Sequence, residues 1–146
     1  METTRLDFYK SSPAAMKAMH GLEQHIAKSS VEKPLAELVR LRASQINGCA
    51  FCVDMHYADA RKGGETERRL AAVTVWRETP FFSDRERAAL EWTESLTLVA
   101  QTRVPDDVWN RVKPHFTPEE ITDLSLLIGA INTWNRFSVG FRKMPV

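Results

Sequence analysis

Cysteine is scarce in this chain: 146 residues contain only Cys49 and Cys52, so no disulfide framework can be what keeps it folded. A chain of this length buries about 70% of its unfolded surface without such staples. An excess of one charge is also missing. The 20 Lys and Arg residues against 19 Asp and Glu leave a net charge of +1, mixed along the chain, and the basic patch expected of a nucleic-acid or anionic-lipid binder is excluded. No apolar run is long enough to span a bilayer, and the first residues, with Glu2, Arg5, Asp7 and Lys10, lack the apolar core of a secretion signal. Alternating strand patterns, hairpin signals and internal repeats are absent as well. These absences lead us to expect one soluble, cytoplasmic, all-α domain over residues 1–146, bound to neither nucleic acid nor membrane. In a reducing compartment a lone CxxC is more often redox-active or metal-binding than structural.

Helical signals run the length of the chain. Ser12-Pro13 reads as a cap and first turn leading a helix to about Lys28, along which His20 and His25 have no partner spaced to form a site. A second helix starts near Lys33-Pro34. The cysteine helix stops at Gly63-Gly64, and a shorter one from Glu67 to Val75 is expected to turn Leu70, Ala71, Val73 and Thr74 inward. Ser83 with Glu86 forms a capping box. Pro105-Asp106-Asp107 opens a brief helix anchored by Trp109 and Val112, after which His115 lies in a loop. The last helix starts at Thr117-Pro118 with Glu120 at its third position and is apolar on nearly every side from Ile121 to Phe137. A helix of that kind is central to its fold or pressed between subunits, so we expect a homo-oligomer. Light scattering that finds a monomer at low concentration would remove that expectation.

The most informative stretch is ELVRLRASQINGCAFCVDMH, Glu37 to His56. Cys49, Cys52 and His56 are spaced i, i+3 and i+7, one face of a helix. Asn47-Gly48 breaks the chain just before them. Left straight, the residues from Glu37 to Cys49 would span roughly 18 Å. Folded back at Asn47-Gly48, Glu37 and His56 reach similar heights on neighbouring helices, within side-chain reach of each other.

A free thiol has a pKa near ~8.5 and reacts slowly at neutral pH. A helix N-terminus gives an anion ~0.3–1 kcal/mol, whereas lowering a pKa by two units takes about 2.7 kcal/mol. His56 can supply the difference by accepting the thiol proton. Glu37 would raise a thiol pKa if it lay against the sulfur, so it fits better behind His56 as the orienting member of a triad. The other cysteine would resolve a sulfenic acid to a disulfide. Other readings stay open. The same four residues could ligate zinc in a non-enzymatic or redox-sensing assembly, although a second ligand pair at ribbon or finger spacing is missing. A proton-transfer enzyme acting on a lactone acid would need only Glu37 and His56. A c-type haem would require histidine at position 53, which is Val53.

Glu37, the CxxC of Cys49 and Cys52, and His56 at these intervals resemble the AhpD-like alkylhydroperoxidase branch of the carboxymuconolactone decarboxylase family. So do WRETPFFSDRERAALEWTE, Trp76 to Glu94, and AINTWNRF, Ala130 to Phe137. The resemblance implies an AhpD-like bundle of six to seven helices, assembled as trimers or hexamers. It also implies reduction of a hydroperoxide substrate through Cys52 as attacking residue, Cys49 as its partner and a Glu37/His56 proton relay; from the residues themselves we expect no cofactor and no metal. The electron donor it implies is a thiol or dithiol protein of peroxiredoxin, lipoyl or thioredoxin type. Helix-dipole reasoning alone favours Cys49 as the more reactive sulfur. The chain departs from the family in carrying Phe51 where a histidine often precedes the second cysteine.

Overall fold

The computed structural model describes residues 3–146; Glu2 lies outside them. Within them the secondary structure is helical throughout: α1 (Phe8–Ser11), α2 (Pro13–Ala27), α3 (Lys33–Ile46), α4 (Ala50–Lys62), α5 (Glu67–Ala72), a 3-10 turn (Val73–Glu78), α6 (Asp84–Thr97), α7 (Val99–Thr102), α8 (Asp106–Val112), a second 3-10 turn (Lys113–His115) and α9 (Pro118–Phe141). Of these, α1 and α7 are four-residue turns, and the other α-helices are the set the sequence signals mark out. None of the helices is long and apolar enough to cross a membrane.

The helix starts follow their local chemistry. Ser12 Oγ caps α2 at the Ala15 amide, and both Ser83/Glu86 and Thr117/Glu120 close full capping boxes. At the end of α3, Asn47 keeps a right-handed conformation and Gly48 takes φ +66°, the left-handed region that glycine enters without a Cβ penalty. The chain reverses there, and α3 packs along α4.

Helix α3 occupies the centre, packing against α4, α6 and α9. Its Leu38, Val39, Leu41 and Ala43 are fully buried. One side of it joins a cluster with Ala89, Val112, Leu124, Leu127 and Ile128; the other joins Ala60, Leu70, Val73, Trp76 and Leu90. The apolar helix α9 also packs on α2, α4 and α6, yet leaves Leu126 and Val139 exposed at its surface.

Two packing details differ from the sequence pattern. Ala71 and Thr74 face solvent, while Ala72, Val73 and Trp76 face inward. The α-helix changes to a 3-10 turn at Val73, and the altered turn angle moves the inward face. Trp109 remains 40% exposed, lying against Trp92 at 5.8 Å between ring centroids without entering the core. Much of the Trp76–Glu94 segment is held by charge: Glu94 accepts hydrogen bonds from Arg42, Trp76 and Arg77, and Arg69 bridges Glu65, Glu86 and the Phe81 carbonyl.

Candidate active site

Cys49 is the N-cap of α4, with extended backbone, and its Sγ accepts the Cys52 amide at 3.3 Å. Cys52 and His56 lie one turn apart inside the helix. The two cysteines are bonded to each other as a disulfide with a Cα–Cα separation of 5.3 Å. Each residue is 1% exposed, but their surroundings differ. Cys52 lines a cleft of about 290 Å³ and Cys49 does not.

The turn that presents the cysteines is fastened to α9. The Asn47 side-chain amide donates to Asn132 at 3.0 Å and to Asn135 at 2.9 Å. The fully buried Asn135 donates in turn to Ser44, whose carbonyl accepts the Cys49 amide. Every link satisfies a polar group that burial would otherwise leave unpaired. Both asparagines belong to the AINTWNRF segment.

The chain reversal brings Glu37 and His56 together. His56 Nδ1–H donates to Glu37 Oε2 at 2.9 Å, because an ionised carboxylate can only accept. That fixes the tautomer and leaves Nε2 as the nitrogen able to accept a proton. Arg40, one turn beyond Glu37, donates to Oε1 at 2.7 Å. Burial works against ionisation of the Glu37 carboxyl, but the His56 hydrogen bond and charge, with the Arg40 guanidinium, outweigh it and hold the pKa below its ordinary value.

Much of the rest of the cleft comes from distant parts of the chain, Tyr9, His20, Glu23 and Trp134, with Met55 added by α4 itself. His20, which has no partner at helical spacing in the sequence, sits on the cleft rim with its ring 6.2 Å from that of Trp134. His25 pairs instead with Asp123 at 3.5 Å. Arg40 and Asp59 carry a local signal in retrospect, each three residues beyond Glu37 or His56. Glu23, Tyr9 and Trp134 carry none, since only tertiary packing gathers them.

Glu37, His56 and Asp59 each offer a donor atom, all within 4.8 Å of one another. They suit a proton better than a cation. Both Glu37 oxygens are already engaged, and the Arg40 charge lies against them. The cysteines, bonded to each other, offer no thiolate in this state.

The carboxymuconolactone decarboxylase family model matches residues 13–95, a span that contains Glu37, both cysteines and His56. The uncharacterized Bacillus subtilis protein YdfG is 46% identical over 135 residues, 92% of this chain and 92% of its own length. A solved Agrobacterium tumefaciens structure, of a protein of unknown function described as a candidate antioxidant defence protein AhpD, superposes with a TM-score of 0.95 at 46% identity over 99% of each chain. The Hyphomonas neptunium alkyl hydroperoxide reductase AhpD is 45% identical over 47 residues, which are 32% of this chain and 26% of that one.

Proposed function

The chain belongs to the carboxymuconolactone decarboxylase family, and on that premise we propose that it is a thiol-dependent peroxidase, reducing organic hydroperoxides through Cys52 and Cys49. The observation that carries this reading is the placing of Cys52 on a cleft it shares with the Glu37–His56 pair, with Cys49 bonded behind it. The AhpD names among the relatives support a hydroperoxide as the substrate.

In the reduced protein, His56 Nε2 takes the Cys52 proton, and Glu37 stabilises the imidazolium that results. The thiolate attacks the terminal peroxide oxygen; the O–O bond breaks, and the departing alkoxide takes the proton back from His56. Cys52 is then a sulfenic acid. Cys49 attacks that sulfur, water leaves, and the disulfide closes. The sum is one hydroperoxide and two thiols giving one alcohol, one water and one disulfide. A dithiol protein of peroxiredoxin, lipoyl or thioredoxin type restores both thiols. The Cys49 sulfur, already facing the Cys52 amide at the helix start, is suited to leave as the thiolate in that exchange.

A thiol count tests the proposal directly. One equivalent of organic hydroperoxide added to reduced protein is expected to remove two thiols per chain, and a dithiol reductant to restore both. An unchanged thiol count would dispose of the peroxidase reading. The apolar groove that Leu96, Val99, Ile128 and Gly129 form beside α9, with exposed Leu126 nearby in sequence, supports assembly of the chain into a homo-oligomer, a trimer or hexamer as in the implied family arrangement.

A further inference from the structure

Glu37 and His56 do not stand alone. Starting in the cleft, the Trp134 indole N–H donates to Glu23 Oε1 at 3.1 Å. Arg40 donates to Glu23 Oε2 at 2.9 Å and, from its other amino group, to Glu37 Oε1 at 2.7 Å. His56 Nδ1–H completes the series at Glu37 Oε2. Four helices supply these residues: α2 gives Glu23, α3 gives Glu37 and Arg40, α4 gives His56 and α9 gives Trp134. The charges alternate along the row, and the Arg40 side chain at its middle is only 15% exposed.

We propose that Arg40 and Glu23 are positioning residues, a fork and its anchor, that hold the Glu37 carboxylate in the one orientation from which it can direct His56 toward Cys52. A lone glutamate on α3 has several rotamers, and the one adopted here delivers Oε2 to the imidazole. Arg40 removes that freedom because its planar fork engages two carboxylates at once, and Glu23 fixes the fork from the opposite side. The alternation also sets the field at the sulfur. Arg40 favours a nearby thiolate, and Glu23 moderates it. Neither residue needs to touch substrate. The Trp134 contact explains why an indole stands at this place in the AINTWNRF segment: its N–H secures Glu23 while its ring walls the cleft.

This inference rests on the peroxidase reading only for its rate assay. In reduced protein, alkylation of Cys52 by iodoacetamide is followed by mass spectrometry as pH varies, beside single-turnover disulfide formation with cumene hydroperoxide. Tyr9, His20 and Asp59 also face the cleft and are the same in every variant. Arg40→Met is expected to slow disulfide formation about tenfold and to raise the alkylation midpoint by about half a pH unit, since a positive charge near the thiolate is lost. Glu23→Gln, which removes a negative charge with little change of shape, is expected to slow it about threefold and to move the midpoint the opposite way. Arg40→Lys should restore the midpoint but not the rate, because one ammonium cannot hold both carboxylates as a fork does.

Midpoints that move in the same direction in Arg40→Met and Glu23→Gln would overturn the proposal, as would full rate in Arg40→Lys or unaltered behaviour in all three variants. Circular dichroism guards against misfolding, and if Arg40→Met does not fold, the gentler Glu23→Gln still decides. A wild-type protein that alkylates normally but forms no disulfide with hydroperoxide would end the peroxidase reading, while the alkylation arm continues to test the row.

Discussion

Cys52→Ser is expected to abolish catalytic hydroperoxide consumption, lowering the rate by on the order of a thousandfold or more. The serine hydroxyl is hardly ionised near neutral pH, and oxygen cannot take the place of sulfur as the atom oxidised by peroxide. His56 and Glu37 would still be in place with no nucleophile to serve. Cys49→Ser separates the two cysteine roles. With Cys52 intact it should consume a single equivalent of hydroperoxide, gain one oxygen as a sulfenic acid and then stop, because nothing closes the bridge. The opposite pattern, turnover surviving in Cys52→Ser and initial oxidation lost in Cys49→Ser, would show that the sulfur at the helix start is the attacking one. Access is the ground on which we propose Cys52: it lines the cleft, and Cys49 sits behind it as the helix cap. Activity that survived loss of both thiols would instead favour proton transfer by Glu37 and His56 alone.

Removal of the Glu37 carboxylate should damage both rate and stability. Glu37→Gln keeps the shape but loses the charge that supports an imidazolium, and a fall in single-turnover rate of about 10²-fold is expected. It also leaves the largely buried Arg40 with Glu23 alone and turns a charge-assisted contact to His56 into a neutral one. Breaking a buried ionic group by removing one partner costs about 3 kcal/mol; the residual exposure of these side chains makes roughly 2 kcal/mol the expectation here. The sign with pH follows from the carboxyl's depressed pKa. A carboxylate more acidic in the folded than in the unfolded chain adds stability that is fully present above the unfolded value of about 4.3 and is lost as pH falls through the lower folded value. Urea unfolding should therefore show the full difference between wild type and Glu37→Gln at neutral pH, and the gap should narrow below about pH 4. A gap independent of pH would mean that Glu37 contributes by shape and not by charge.

The parts of this protein that were legible from its sequence are those governed by neighbours along the chain. The two capping boxes, the reversal at Asn47-Gly48 and the meeting of Glu37 with His56 are questions of helical spacing, and three- and four-residue periodicities answer them. Arg40 stands at a helical spacing too, i+3 from Glu37, but spacing alone does not single it out as a member of the site. Illegible were contacts made across long separations. The Trp134–Glu23 hydrogen bond joins residues 111 apart, and the Asn47–Asn135 bond joins residues 88 apart; no local pattern pairs them. His20 looked idle in the sequence because the cleft it borders is assembled by other helices. Ala71, Thr74 and Trp109 show a further limit. A hydrophobic period assumes one turn angle, and the 3-10 segment at Val73 changes that angle midway, while an indole large enough to shield Trp92 need not itself be covered.

Gly48 marks where counting along this molecule begins. With the left-handed joint fixed there and its neighbour Asn47 tied to α9, the carboxylate finds its place by residue number back along one helix and the imidazole by residue number forward along the next. One extra residue between Glu37 and Asn47 would swing that carboxylate by about 100° and raise it about 1.5 Å, aiming it away from its mate although no side chain had been exchanged. Insertions and deletions in these two helices therefore threaten the chemistry more than many substitutions do.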